Sequence, residues 1–151
     1  MQVGEACNRE VIVVDRDEPI SGAVNLMREH HVGDVVVVDN RGGESRPLGI
    51  LTDRDIVVEL LAESVDMDSV TVGDAMSYEL VTANEDEELT EAIDRMRDRG
   101  VRRLPVVNAA GGLVGILAVD DIMDLLAEQL HALAALVSKE QRRERERRTR
   151  P

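Results

Sequence analysis

The chain has 151 residues, 43% of them hydrophobic, which suits one compact domain or two small halves that share a core. Its net charge of −13 at pH 7 disfavours nucleic acids and anionic membranes as partners, because they are repelled at long range. A single cysteine excludes a disulfide framework, and we find neither a signal peptide nor a membrane-spanning apolar run, so we expect a cytoplasmic protein.

The charge is unevenly distributed along the chain. Residues 139–151 carry seven basic and three acidic side chains, which is a net charge of +4. Residues 1–138 therefore carry a net charge of −17. An anionic ligand would need a local cluster of arginines to bind to this acidic body.

The beginning of the chain predicts a strand followed by an amphipathic helix. The β-branched run 9–14 is typical of a short strand. Pro19 suits the first turn of a helix, because its fixed φ angle matches that position. The next apolar residues recur at three- and four-residue spacing and predict one buried helix face, formed by Ile20, Ala23, Val24 and Met27.

Two more strands and a helix complete this unit. Residues 33–40 and 47–52 are apolar runs that predict buried strands. Residues 53–64 predict a helix with three inward residues, Ile56, Leu60 and Leu61. The motif VGEAC, before the first strand, predicts a short lead-in helix, as does VGDAM near residue 72.

The second half of the chain repeats the first. At an offset of 69, residues 1–43 match the later copy at 14 positions, and after a three-residue insertion an offset of 66 adds six more identities. The repeat predicts the same elements at 79–83, 87–99, 103–108, 113–118 and from 119 onward, with a connector at 62–71.

One such unit has too small a core to fold alone. Two copies related by a pseudo-twofold axis can pack sheet to sheet, with their equivalent loops facing each other across a cleft. We therefore predict an α/β (α+β) fold of two β-α-β-β-α motifs, residues 1–65 and 66–127. A helical extension with a basic tail follows at 128–151.

The motifs resemble a tandem pair of CBS (cystathionine β-synthase) domains. The resemblance rests on VGDVVVVDN and PLGILTDRDI in the first copy, and on VRRLPVVN and LVGILAVDDI in the second. It covers residues 3 to about 127. It implies a non-catalytic regulatory module that requires no cofactor and binds an adenosyl ligand: AMP or ATP first, with S-adenosylmethionine or NAD as alternatives.

The resemblance also implies which residues bind the ligand. Asp55 would accept hydrogen bonds from both ribose hydroxyls, and Thr52 would bind phosphate or ribose at the strand-to-helix turn. The structural alternative is that Thr52 caps the helix and Asp55 completes a capping box. The two roles are compatible.

The second copy departs from the family pattern. Ala118 replaces the hydroxyl, and Val119 replaces the first acid. Asp121 keeps the ribose-type carboxylate, but Asp120 beside it adds negative charge. We therefore expect this second site to be empty, weaker or suited to a less charged ligand.

Arg102 and Arg103 occupy the place where nucleotide-binding relatives carry a phosphate-contacting basic pair. Guanidinium groups bind phosphate with two parallel hydrogen bonds. The alternative is that they are strand-edge charges paired with Asp98 or with glutamates. For Arg54 two roles are possible: contact with phosphate, or a position on a solvent-facing first turn of the helix.

Catalytic and metal-binding sets are not evident in the sequence. The adjacent histidines His30 and His31 point about 100° apart on a helix and do not suit one shared metal ion. We also find no nucleophile–base set and no phosphate-binding glycine loop.

The last helix carries more apolar surface than a closing helix needs. Leu126, Leu130, Leu133 and Val137 follow a heptad-like spacing. The helix could fold back over its own domain or pair with a second subunit or another protein, and the resemblance favours a homodimer. The basic tail is expected to be frayed or disordered. An alternative function is a structural interaction module with degenerate ligand sites that acts through this helix.

Overall fold

The computed structural model describes residues 1–40 and 42–150. Within them the chain forms two equivalent units, each built on a three-stranded sheet. In each sheet the first strand is parallel to the central strand and the third is antiparallel to it. The predicted fold of two repeated motifs is therefore confirmed.

The helices and strands follow the same order in both repeats. The first repeat consists of α1 (Val3–Ala6), β1 (Val13–Asp15), α2 (Ile20–His30), β2 (Asp34–Asp39), β3 (Arg46–Thr52) and α3 (Asp53–Asp55), which continues as a π-helical segment (Ile56–Leu61). After a 3-10 turn (Met67–Ser69), the second repeat consists of α4 (Val72–Ala75), β4 (Ala83–Asn84), α5 (Leu89–Arg99), β5 (Arg103–Val107), β6 (Leu113–Ala118) and α6 (Val119–Arg148).

The predicted lead-in helices α1 and α4 are present, and they are exchanged between the units. Val3 of α1 is fully buried in the core around α5, and Val72 of α4 in the core around α2. Their backbones are held in the same way: the Gly4 N–H donates to Glu85 O (2.8 Å) and the Gly73 N–H donates to Arg16 O (2.8 Å). Each core is thus completed by the other repeat.

Both first strands are shorter than predicted, because the chain crosses between the units before it joins a sheet. The sequence predicts strands over 9–14 and 79–83, but β1 begins only at Val13 and β4 only at Ala83. Just before these runs, Asn8 pairs with Ile116 of β6, and Ser77 pairs with Ile50 of β3.

Two glycines make these crossings possible. A Cβ atom at Gly115 would lie 2.6 Å from Cys7 Sγ and 2.9 Å from Asn8 O. A Cβ atom at Gly49 would collide with the Ser77 carbonyl oxygen. The glycine that opens GIL in both repeats is therefore required by the close approach of the other repeat's backbone.

The central strands are covered on both faces. Val35 and Val37 of β2 pack in the core beneath α2. Val36 and Val38 point to the opposite face, because side chains alternate along a strand, and they are at most 1% exposed. Two buried faces fit units that pack sheet to sheet.

Two residues that the periodicity assigns to buried faces are exposed. Val24 of α2 is 37% exposed, and Leu61 is 58% exposed. The helix after β3 is wider than an α-helix, because the Ala62 N–H donates to Val57 O, five residues back. Ile56 and Leu60 therefore fill the buried face, and Leu61 turns outward.

The last helix, α6, has 30 residues and is about 45 Å long. Ile122 is its only buried residue. The basic tail, which the sequence suggests is frayed or disordered, is helical as far as Arg148. Within residues 1–40 and 42–150, no helix combines the length and apolarity of a membrane span.

Candidate functional site

Two clefts lie where the units meet. The first cleft has a volume of about 360 Å³ and is lined by the turn from β3 to α3, by residues 77–81 and by residues 101–103. The second cleft, of about 270 Å³, is lined by the turn from β6 to α6, by residues 8–12 and by residues 31–34. Equivalent segments of the repeat thus line the two clefts.

The first cleft brings together four of the five residues that the sequence nominates for ligand binding. They are Thr52, Asp55, Arg102 and Arg103, and Arg54 lines the same cleft. The fifth, Asp121, lies in the second cleft with its neighbour Asp120. Each strand-to-helix aspartate therefore has a cleft of its own.

Thr52 and Asp55 form a capping box at the start of α3. The Asp55 N–H donates to Thr52 Oγ1 (3.1 Å), and the Thr52 N–H donates to Asp55 Oδ2 (3.0 Å). Among the described residues, no group donates to the other carboxylate oxygen, Oδ1. The cap fixes the carboxylate and leaves that oxygen available to a donor in the cleft.

The second strand-to-helix turn has the same backbone but different chemistry. The Val119 N–H donates to Arg102 O (2.9 Å), just as the Asp53 N–H donates to Gly33 O (2.9 Å). Ala118 occupies the cap position without a side-chain hydrogen bond. The two turns therefore share their backbone hydrogen bonding and differ in their side chains.

The two arginines are paired with aspartates, although not with the predicted ones. Arg102 Nη2 lies 3.1 Å from Asp120 Oδ1 at an exposed site. Arg103 Nε lies 2.9 Å from Asp34 Oδ1, where the two side chains are only 33% and 14% exposed. The alternative that named Asp98 or glutamates as partners is wrong. Asp120 lies in the same repeat as Arg102, whereas Asp34 lies in the other repeat from Arg103.

The pair of Asp34 and Arg103 joins the equivalent first residues of β2 and β5, so it lies at the pseudo-twofold axis. Arg103 lines both clefts. Burial raises the pKa of the Asp34 carboxyl above its ordinary value, Arg103 opposes that rise, and Asp53 adds to it. The centre of the molecule therefore holds a partly desolvated ion pair shared by both clefts.

The clefts differ in charge. Three basic and three acidic side chains line the first cleft: Arg54, Arg102, Arg103, Asp53, Asp55 and Glu79. The second cleft has one arginine and four carboxylates: Arg103, Glu10, Asp34, Asp120 and Asp121. An anion is therefore better accommodated in the first cleft.

Sequence reasoning missed one wall of the first cleft. Leu80 and Val81 line it together with Ile50, and they form an apolar surface beside the polar turn. The missed signal is the repeat itself, because 77–81 aligns with 8–12, and both segments cross between units. An apolar wall opposite polar groups is typical of a small-molecule site.

Replacing Arg103 with methionine should raise the pKa of Asp34 further, because Arg103 is the one influence that lowers it. The folded-state pKa then lies further above the unfolded value, so folding favours the protonated carboxyl. The contribution of Asp34 to stability should therefore be greatest below its unfolded-state pKa and be lost as the pH rises through the raised folded-state pKa. Carboxyl-carbon NMR titration would measure this shift. Arg102→Met is the matched control, and an equal shift there would contradict the assignment.

Comparison with known proteins identifies the family. The family model described as CBS domain matches residues 3–62 and 72–128. The chain belongs to the CBS-domain family. The resemblance inferred from the motifs is thereby confirmed. CBS pairs are regulatory ligand-binding modules.

Two relatives illustrate the extent of the similarity. An uncharacterized protein of Methanopyrus kandleri is 38% identical over 125 residues, which are 83% of this chain but only 62% of that protein. Hypoxic response protein 1 of Mycobacterium tuberculosis is 33% identical over 130 residues, covering 86% of this chain and 87% of the relative.

A solved structure supports the same architecture. The crystal structure of the CBS domain pair of protein MJ0100, in complex with 5'-methylthioadenosine and S-adenosyl-L-methionine, matches with a TM-score of 0.74. The match covers 85% of this chain and 98% of that one, at 25% identity. The two-unit CBS-pair fold is therefore shared.

Proposed function

We propose that this CBS pair is a non-catalytic regulatory module that binds an adenine nucleotide, AMP or ATP, in its first cleft. The observation that carries this proposal is the meeting of the Thr52–Asp55 turn with Arg102 and Arg103 in one cleft. A carboxylate oxygen suits ribose hydroxyls, and guanidinium groups suit phosphates.

The shape and chemistry of the cleft support an adenosyl ligand. The apolar wall formed by Ile50, Leu80 and Val81 suits the face of a planar base. The adenosyl compounds bound to the CBS pair of MJ0100 also support this ligand class. S-adenosylmethionine and NAD belong to the same class and are the alternatives to AMP and ATP.

Adding AMP or ATP at about 100 times its dissociation constant should stabilise the protein by about 2.7 kcal/mol. For a chain of this length, the melting temperature should rise by about 5–10 °C. A thermal melt in the presence of AMP, ATP, NAD or S-adenosylmethionine would measure the shift, and calorimetry would give the affinity. If none of the four compounds raises the melting temperature, the proposed nucleotide binding is contradicted.

We further propose that the protein is a homodimer. Exposed apolar side chains on α6 and on the helix after β3 support this assembly, among them Val57 (53% exposed), Leu61 (58%), Met123 (62%) and Leu126 (54%). Ligand binding would change the relative position of the units, and a partner protein would recognise the resulting position of α6.

Two further expectations stay predictions. They are the cytoplasmic location and the division of the chain into 1–65, 66–127 and 128–151.

The length of α6 favours a second candidate function. Only Ile122 of its 30 residues is buried, so the helix offers far more surface than its own unit covers. The protein would then be a structural interaction module with degenerate ligand sites. Unchanged assembly and unchanged partner binding after removal of residues 128–151 would count against this function.

A further inference from the structure

The helix α6 consists of three blocks of different charge. Residues 119–131 carry four acidic side chains and no lysine or arginine, and residues 132–138 carry no charge. Residues 139–150 carry seven basic and three acidic side chains. One continuous helix therefore has an acidic start, a neutral centre and a basic end.

An exposed apolar stripe runs along this helix. Its members are spaced as in a heptad, and each is at least half exposed: Met123, Leu126, Leu130, Leu133 and Val137. The stripe is about 21 Å long, since each residue adds about 1.5 Å. A contiguous apolar surface of this kind marks an interaction site.

We infer that the α6 helices of two copies pair antiparallel, so that the basic end of each helix lies beside the acidic start of the other. This inference rests on the proposed homodimer and specifies its geometry. The occupant of the stripe is a second copy of this chain, because the charge pattern is complementary to its own reverse. A twofold axis across the helix pair makes both contacts identical.

A parallel pair would be opposed by charge. Its acidic starts would lie together, as would its basic ends. The heptad spacing also continues to Glu140 and Glu144, which would each face their own copies in the seam. Antiparallel pairing separates these like charges and brings the basic end of each helix beside the acidic start of the other.

The apolar stripe allows more than one register, and the charges select one of them. When Leu130 lies level with Leu133 of the other copy, Leu126 lies level with Val137. In that register Arg142 and Arg143 fall level with the partner's acidic first turn, which contains two exposed aspartates, Asp121 and Asp120. These aspartates line the second cleft. The tail of each copy therefore reaches the edge of the other copy's second cleft.

The tail cannot reach its own acidic body while α6 stays helical. Ile122 is the last buried residue of the helix, and Arg145 lies 23 residues further on, which is about 35 Å along the axis. RNA is a weaker candidate, because a net charge of +4 on the tail is outweighed by −17 on the rest of the chain.

Disulfide trapping tests the orientation. In a Cys7→Ala background, the single variants Leu126→Cys and Val137→Cys are mixed, allowed to exchange subunits and oxidised. Antiparallel pairing should give the mixed 126–137 disulfide as the main product. Predominant 126–126 and 137–137 disulfides would overturn the inference and leave the homodimer intact. An absence of crosslinks would also overturn it.

Charge reversal tests the part played by the tail. The double variant Arg142→Glu/Arg143→Glu should raise the dimer dissociation constant at least tenfold at about 50 mM salt, and less at about 500 mM. Arg147→Glu/Arg148→Glu makes the same change in charge beyond the partner's acidic turn, so it should have a smaller effect. Sedimentation equilibrium would measure both constants, and equal effects would contradict the register.

Two further readouts separate this inference from other outcomes. If the Arg142→Glu/Arg143→Glu variant keeps its dimer but loses retention of single-stranded RNA in a gel shift, the tail binds RNA and the inference is wrong. The nucleotide-induced melting shift is measured on the same variant. If the variant keeps the nucleotide-induced rise in melting temperature but forms a weaker dimer, the inference is supported. If the unmodified protein shows no such rise, the result contradicts the proposed nucleotide site and leaves the antiparallel pairing untouched.

Discussion

AMP binding should weaken by at least ~100-fold when Asp55 is replaced by alanine. Two ribose hydroxyls lose a charged acceptor, and each such hydrogen bond contributes about 1.5–3 kcal/mol. The carboxylate is already oriented by its bond from the Thr52 N–H, so binding does not need to order it. Isothermal titration calorimetry would measure the loss. AMP lacking both ribose hydroxyls should bind the unmodified protein and the variant equally.

The chain provides a matched control in α4. Thr71 and Asp74 form the same kind of capping box (3.1 and 3.3 Å), but they line neither cleft. Asp74→Ala should therefore remove a helix cap and keep AMP affinity. Asp121→Ala should also keep it, because that carboxylate lies in the second cleft. Equal losses in all three variants would show that AMP binding depends on general stability and not on Asp55.

Replacing Gly49 with valine should lower the free energy of unfolding by about 3 kcal/mol, because a larger side chain is forced against a packed backbone. The added Cβ would collide with the Ser77 carbonyl oxygen and lie 3.0 Å from Met76 Sδ. The segment that follows α4 would be displaced from β3. A thermal melt should show a midpoint about 10 °C lower.

Gly22→Ala is the control for this substitution. Gly22 is half-buried on α2, and the three atoms nearest to an added Cβ all belong to the flexible side chain of Glu18, which can turn aside. Alanine at this position should raise stability by about 0.5–1 kcal/mol, because it lowers the entropy of the unfolded chain. A Gly49→Val melting curve equal to that of the unmodified protein would mean that the crossing is not needed for stability.

The repeat made much of the fold predictable. Ile20, Ala23 and Met27 align with Leu89, Ala92 and Met96, and all six are buried in their helices. Because the same apolar spacing occurs in both repeats, each copy independently supports the prediction of a buried helix face in the other. The Thr52–Asp55 turn was predictable for the same kind of reason, because a capping box depends on residues only three positions apart.

Long-range features were not predictable from local pattern. The exchange of α1 and α4 depends on contacts such as Gly4 with Glu85, which are 81 residues apart in the sequence. Periodicity within one segment carries no information about which unit covers it. The partner of Arg103 was missed for the same reason, because Asp34 lies in the other repeat. Leu61 was misassigned because a π-helical turn changes which residues share a face.

The ion pair of Asp34 and Arg103 has a consequence for symmetry. In a dimer of identical single repeats, a residue on the twofold axis faces its own copy, so an aspartate would meet an aspartate and an arginine an arginine. Joining both repeats in one chain lets these positions differ, and the attractive pair becomes possible. Differences of the same kind give the first cleft three arginines and three carboxylates, and the second cleft one arginine and four carboxylates. Covalent duplication thus allows a symmetric fold to hold two unlike compartments.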